Sequence, residues 1–318
     1  MQAYRWLAAL VLGLGLSVAV MAQDKITLKV NYEPGTYLLT SKTQTATSMT
    51  GDMKMSSSMI MTMITEMEVA KADDKGNREV KSSFKQIKME QTVGNTTCNY
   101  DSAIGDNGKI GPIGNAFGAM IGKTITLTLD SKGGACNIRG VEEMVAAMMK
   151  NSGLPASAEA ALKNQFGQKM VEETFSNLQA FPDKPVAKGD TWDIIKKMEL
   201  KVVGATDFKQ TNTLKDVKNK NAIIAFTGTL KKPKTTTSGP AGQTATIQDL
   251  SITQNGTSQV IIDTGMVKQT DMAQRGSFTV IAGEGDSKKE MKFTLDTVGT
   301  VTIEKGMYKA PTTAKAEK

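Results

Sequence analysis

Apolar and polar side chains alternate with period two along most of this chain, and that rhythm commits it to β-strands with one buried face. Ile26, Leu28 and Val30 alternate with Thr27, Lys29 and Asn31, and Pro34-Gly35 then makes a turn. Tyr37 to Ser48 reads as a threonine-rich strand. Met59, Met61, Met63, Met67 and Val69 next fall at odd positions, with Ile60 and Ile64 interrupting the alternation. The turn Asp73-Asp74-Lys75-Gly76-Asn77 leads into a strand from Arg78 to Thr92, and Ile87, Met89 and Val93 carry the rhythm on. A further hairpin joins Thr124–Leu129 to a strand through Cys136 and Ile138.

The centre of the chain changes period. Val141, Met144, Val145, Met148 and Met149 share one face of a helix. Leu162, Phe166 and Met170, continued by Val171, Phe175 and Leu178, predict a second helix that stops before Pro182. Pro112 sits at a plausible helix start inside the glycine-rich stretch from Gly105 to Gly122. Strand patterning then returns as Trp192–Val203, Phe208–Lys215 and Ala222–Leu230. It resumes as Thr246–Gln254, Gly256–Asp263, Met266–Gln274, Ser277–Ala282 and Lys289–Glu304. The Lys-, Thr-, Pro- and Gly-rich run from Lys231 to Thr246 reads as a long exposed loop.

These elements predict a mainly antiparallel β (α+β) fold: curved sheets or half-barrels, in two similar halves, with a central helical insertion. The expected organisation is a signal peptide over 1–22, a β-rich half over 23–140 and a helical segment over 141–181. A second β-rich half follows over 182–306, with a disordered tail over 307–318. The signal reading rests on Arg5, an uncharged apolar run from Trp6 to Val20, and Val20-Met21-Ala22 before Gln23. That run is too short to cross a bilayer, and no later segment is apolar enough to span one. Export to the periplasm or the medium is therefore expected.

In such a compartment Cys98 and Cys136 are expected to pair as a disulfide. The chain has no histidine. Ser-His-Asp and Cys-His catalysis and His-ligated zinc are thereby excluded. No other catalytic constellation is recognisable, and no cofactor or metal is expected. Lys and Arg total 39 against 32 Asp and Glu, spread along a chain that is 5% aromatic, which is not the footprint of a nucleic-acid binder.

Of 20 methionines, a run including Met59, Met61, Met63 and Met67 crowds into one predicted strand. Thioethers are soft ligands for Cu(I), but alternate strand positions lie roughly 6.5–7 Å apart, wide for sharing one ion. A pliable apolar lining, as core or as ligand pocket, suits these side chains better. Tyr100-Asp101-Ser102 with Asp106 lacks the ligand pattern of a calcium loop and reads as a polar turn.

From Pro182 the chain reads Pro182-Asp183-Lys184-Pro185-Val186-Ala187-Lys188-Gly189-Asp190-Thr191-Trp192. This resembles the P-x-K-P-V-x-x-G-D-[Ser/Thr]-W box of an uncharacterised family of exported bacterial β-proteins. Tyr100-Asp101-Ser102 and the hairpin at Asp130 are similar to that family's pattern as well. The resemblance implies a shared fold and hands over no catalytic residue. From the residues themselves, Pro182 and Pro185 stiffen an extended approach, Gly189-Asp190 turns the chain, and Trp192 anchors the following strand.

The sequence thus points to an exported, non-enzymatic protein that binds a lipid or other apolar ligand on a concave sheet. The competing reading is a structural or protein-interaction module of the cell envelope, with an envelope protein as partner. Methionine-based copper binding stands behind both.

Overall fold

A computed structural model describes residues 24–51, 54–104, 112–130, 133–152, 167, 181–200, 204–238, 244–282 and 288–310 of the 318. The signal segment, the second predicted helix, Asp106 and the end of the tail lie outside these residues. The strands are β1 (Gly35–Gly51), β2 (Met55–Val69), β3 (Arg78–Val93), β4 (Thr96–Asp101), β5 (Thr124–Leu129) and β6 (Ala135–Arg139). They continue as β7 (Thr191–Leu200), β8 (Gly204–Lys218), β9 (Asn221–Ser238), β10 (Thr244–Ile261), β11 (Val267–Ala282) and β12 (Lys289–Lys305). All twelve belong to one curved antiparallel sheet in the order β6-β5-β3-β2-β1-β12-β11-β10-β9-β8-β7, with β4 paired to β3. Its centre is the pairing of the first strand with the last, from Tyr37–Lys305 to Gly51–Met291.

Directly paired residues of an antiparallel ladder point to the same side, so the register assigns every side chain to a face. The odd residues of β1, β2 and β12 and the even residues of β8, β9 and β11 form the core face. A bulge in β3 between its pairings to Ile64 and Thr65 lets both Phe84 and Ile87 keep to that face. On one half of it pack α1 (Pro112–Gly118) and α2 (Val141–Ser152). Val141, Met144 and Met148 of α2 bury against Val80, Ile87 and Leu127, as the helical spacing predicts. On the other half Leu214, Ala222, Ile224 and Val260 form a second cluster, and Phe208, Leu230, Ile247 and Leu250 a third.

The expected N-terminal strand is not a strand of the sheet. Ile26 forms a single two-bond bridge with Val186, and Asn31 N–H donates to the Thr264 carbonyl at 2.9 Å. Leu28 and Tyr32 are nonetheless buried, so the alternation records contact with the core and not ladder membership.

The expected long loop from Lys231 is also corrected. β9 runs on to Ser238 and β10 starts at Thr244. Pro233 is accommodated because its position faces Asp249, a bulge residue with φ of 54°, between the pairs Lys232–Leu250 and Lys234–Gln248. The breaks expected at Asn255 and at Arg275-Gly276 are absent, and β10 and β11 are each continuous. At Gly256 a Cβ would collide with the Asp271 carbonyl oxygen and the Phe226 ring, so the position is occupied by its neighbours' atoms.

Both cysteines are free thiols, which overturns the expected bridge. Cys98 pairs with Gln91 of β3, whereas Cys136 pairs with Thr128 of β5, which itself faces Glu79 of β3. Those two points on β3 are roughly 30–40 Å apart along the strand, far beyond the ~7 Å limit for bridged Cα atoms.

Alkylation of the unfolded, unreduced protein is expected to add two labels, on Cys98 and Cys136; a mass two hydrogens light with no label would contradict the register. Gly256→Val is expected to destabilise by about 2–3 kcal/mol in urea unfolding through overpacking.

Candidate functional site on the two faces of the sheet

Rows of paired residues crossing the sheet show what each face offers. One core-face row runs Met59, Thr45, Thr297, Gln274, Gln254, Gly228, Gln210, Ile194. The next runs Met61, Thr43, Gly299, Met272, Gly256, Phe226, Asn212, Trp192. On its far side lie Met63, Ser41, Val301, Thr270, Ser258, Ile224 and Leu214. Towards the β1–β2 hairpin lie Thr47, Leu295, Gly276, Ile252 and Leu230, then Met55, Met49, Phe293 and Phe278. None of these positions carries Asp, Glu, Lys or Arg.

The outermost of these rows are apolar and half-buried. The Phe278 and Phe293 rings stack with centroids 4.9 Å apart. Met49, Phe293, Leu295 and Ile252 each keep part of their surface exposed. The four methionines singled out in sequence share this face. Met67 is buried at 5% exposure, and Met59 and Met63 pack partly buried against the same cluster. Met61 is half-buried beside them, opposite the buried Met89. Among the described residues no group of three or more Cys, Asp and Glu side chains converges on a metal position.

Carboxamides interrupt the apolar surface. Gln210 and Asn212, 9% and 4% exposed, stand on β8 between Phe208 and Leu214. Gln210 Nε2 donates to Asn212 Oδ1 at 2.8 Å. Asn212 Nδ2 is buried without a hydrogen-bond partner. Gln254 Nε2 donates only weakly, to the Met272 sulfur at 3.6 Å. Sequence reading passed over these residues because they are polar. The available signal was their phase, since they hold the core-face positions of β8 and β10.

The outer face is charged and wet. Lys209 pairs with Asp193 at 2.8 Å, and Arg275 with Asp296 at 2.6 Å. A shallow groove of about 800 Å³ crosses β1, β12, β11, β10 and β9 there. Its walls include Lys42, Gln44, Asn255 and Asp271, over the small side chains of Ala225 and Ala273. The Thr300 hydroxyl and Gln269 Nε2 both donate to the Asp271 carboxylate, at 2.7 and 2.6 Å.

Beyond β12 the chain is clasped to this face. Tyr308 N–H donates to Glu66 Oε2 at 2.9 Å, and its hydroxyl donates to Gln86 Oε1 at 3.3 Å. The Lys85 ammonium, hydrogen-bonded to Glu66 at 2.9 Å, holds that carboxyl below its ordinary range, and the Tyr308 amide adds to the effect. Asp101 is pushed up by burial, but donors on Gln86, Ala103 and Lys88 outweigh this and leave it lowered. The Tyr100-Asp101-Ser102 triplet is thus a hydrogen-bonded turn, with Ser102 Oγ accepting from Ile87 N–H.

The Pro182–Trp192 box turns the chain into β7. Gly189 takes φ of 93°, open to glycine at little cost, and Asp190 Oδ2 accepts from Ala187 N–H at 2.9 Å. Trp192 then faces Asn212 on the core face. Pro182 and Pro185 flank a bend at Asp183-Lys184 ahead of the Ile26–Val186 bridge, where an extended approach was expected. Among the described residues no helix is long and apolar enough to cross a membrane.

The architecture is that of a wide single-sheet β-protein whose two faces differ sharply in charge. The chain belongs to the family of unknown function DUF6263, whose profile matches residues 75–267, more than half its length. No curated protein matches it by sequence. Among solved structures it is similar to one describing lipid–protein interactions in lipovitellin, at 11% identity and a TM-score of 0.43, over 90% of this chain. It spans 27% of the length of that chain. It is also similar to OccK5 (OpdH) of Pseudomonas aeruginosa, at 4% identity and a TM-score of 0.26, over 85% of this chain and 98% of that one. An outer membrane channel of Pseudomonas putida F1 follows at 8% identity and a TM-score of 0.19, over 88% and 98%.

Because the folded Glu66 carboxyl is lowered, its contribution to the clasp is complete above the ordinary glutamate value. It is lost as pH falls through the lowered one. Hydrogen-exchange protection at the Tyr308 amide is expected to fall as the pH is taken below the ordinary glutamate range. In Glu66→Gln it is expected to be weak already at neutral pH.

Proposed function

We propose that this is an exported, non-enzymatic carrier that holds an apolar ligand against the core face of its sheet. The observation that carries the reading is the apolar hairpin end of the core face, where Met49, Phe293, Leu295 and Ile252 remain half-exposed. Apolar surface left partly in water is a standing cost of about 25 cal/mol per Å² that a ligand removes. Methionine and phenylalanine suit this work, since pliable thioethers and flat rings adapt to a chain of variable shape. The absence of histidine from the sequence supports a role in binding over one in catalysis. Periplasmic or secreted placement follows from the signal-like start of the sequence.

A second reading, a structural or protein-interaction module of the cell envelope, draws on the packing of Met59, Met63 and Met67 against the core. In that case the methionines are filling and the face has no ligand.

Titration with a fluorescent C16–C18 acyl probe separates the two. Saturable binding is expected. Met49→Lys, which places a charge on the apolar end, is expected to weaken it at least tenfold with the circular dichroism unchanged. No saturable binding to the wild-type protein would remove the carrier reading.

A further inference from the structure

We infer that the ligand is a neutral amphiphile, an acyl chain carrying an uncharged ester- or amide-type group, and that this group is bound by the carboxamides Asn212, Gln210 and Gln254. The inference rests on the carrier reading and adds to it the chemistry of the ligand's polar end.

Three observations lead there. The first is the orphaned amide. Asn212 is 4% exposed, and its Nδ2 has no partner. A buried donor left unpaired is costly, and native proteins seldom retain one unless a bound water or ligand completes it. Its side-chain oxygen is already engaged by Gln210 Nε2, so what the position lacks is an acceptor.

The second is the order of the rows. Gln210, Gly228, Gln254, Gln274 and Thr297 form one line across five strands. The line immediately beside it, on the hairpin side, carries Leu230, Ile252, Gly276 and Leu295. A ligand whose chain covers the half-exposed Ile252, Leu295 and the stacked Phe278 and Phe293 brings its polar end to the amide line. Asn212 stands one row further on, facing Phe226 and Trp192.

The third is the absence of charge. The two rows that hold Gln210 and Asn212 carry no Asp, Glu, Lys or Arg from β2 to β7. Lys196, opposite Phe208, and Lys232, opposite Leu250, stand in the rows towards the hairpin, and the ion pairs Lys209–Asp193 and Arg275–Asp296 lie on the opposite face. A phosphate or free carboxylate buried against the Gln210 and Asn212 rows would meet no counter-ion within those rows, a steep penalty in an apolar setting. An ester or amide carbonyl accepts a hydrogen bond without that penalty.

The test is competition against the fluorescent acyl probe by three ligands of equal chain length: monoolein, sodium oleate and 1-octadecene. The expected order is monoolein tightest, with a preference over the hydrocarbon of about tenfold, the worth of one well-made buried hydrogen bond. Asn212→Leu is expected to abolish that preference while leaving octadecene binding unchanged. Its thermal midpoint should be equal to or above wild type, because an unpaired amide has been removed. Should that variant not fold, Gln254→Leu serves in its place, and the same selective loss is expected.

Equal binding of monoolein and octadecene by the wild type, or a preference for oleate, would overturn the inference and leave the carrier reading standing. Failure of all three to compete, together with failure of the probe to bind, would end both. A fall in stability of Asn212→Leu with the monoolein preference intact would make Asn212 structural and also overturn the assignment.

Discussion

Everything in this molecule depends on the backbone pairing between β1 and β12. The strands nearest the two ends of the chain meet in the middle of the sheet, from Tyr37–Lys305 to Gly51–Met291. Without that seam there would be two separate sheets, each with a long edge of unsatisfied amides and carbonyls. With it, the core face is continuous from β4 to β7, and rows of side chains can be read across it. Register matters as much as contact. A slip of one residue would carry Lys42 and Gln44 onto the core face and put Thr43 and Thr45 outside.

The difference between the faces follows from this register. Exposed ion pairs contribute little to stability. Arg275–Asp296 and Lys209–Asp193 therefore matter less for their energy than for marking which face meets water. The core face is closed by packing on the side of β3 and β5, where α1 and α2 lie. Elsewhere Phe208 and Leu230 on one flank and Met59 and Met63 on the other frame a stretch of surface that is apolar without being fully buried. Buried carboxamides on that surface are the one feature that a simple apolar core would not retain.

Much of the fold was legible because a half-buried strand writes its phase into the sequence. The strands from Tyr37, Arg78, Thr124 and Lys289 and the α2 helix from Val141 were readable from periodicity alone. Lys231–Ser238 was not, since lysine, threonine and proline together signal a loop, and only pairing to β10 with its bulge at Asp249 makes a strand of them. The break expected at Asn255, just ahead of Gly256, is absent for a related reason: the space beside Gly256 is filled by the Phe226 ring, which no local pattern reveals. The cysteines misled because compartment and count say nothing about where β4 and β6 are joined to the sheet. The site was less legible still. Met59, Met61, Met63 and Met67 could be placed on one face from spacing. That Gln210, Asn212, Gln254 and Gln274 come onto that same face needs the pairing of four strands, which a linear sequence does not state.

The most direct test of the account is whether a bound acyl chain lies on the core face. Trp192 stands on that face beside Asn212, and the sequence has only two tryptophans. In a Trp6→Phe chain, fluorescence therefore reports from Trp192 alone. Titration with monoolein brominated along its acyl chain, a contact quencher, is expected to extinguish that emission saturably, with the plain lipid reversing it. Binding of the brominated lipid, confirmed by native mass spectrometry, with Trp192 emission unchanged would place the ligand elsewhere and contradict the account.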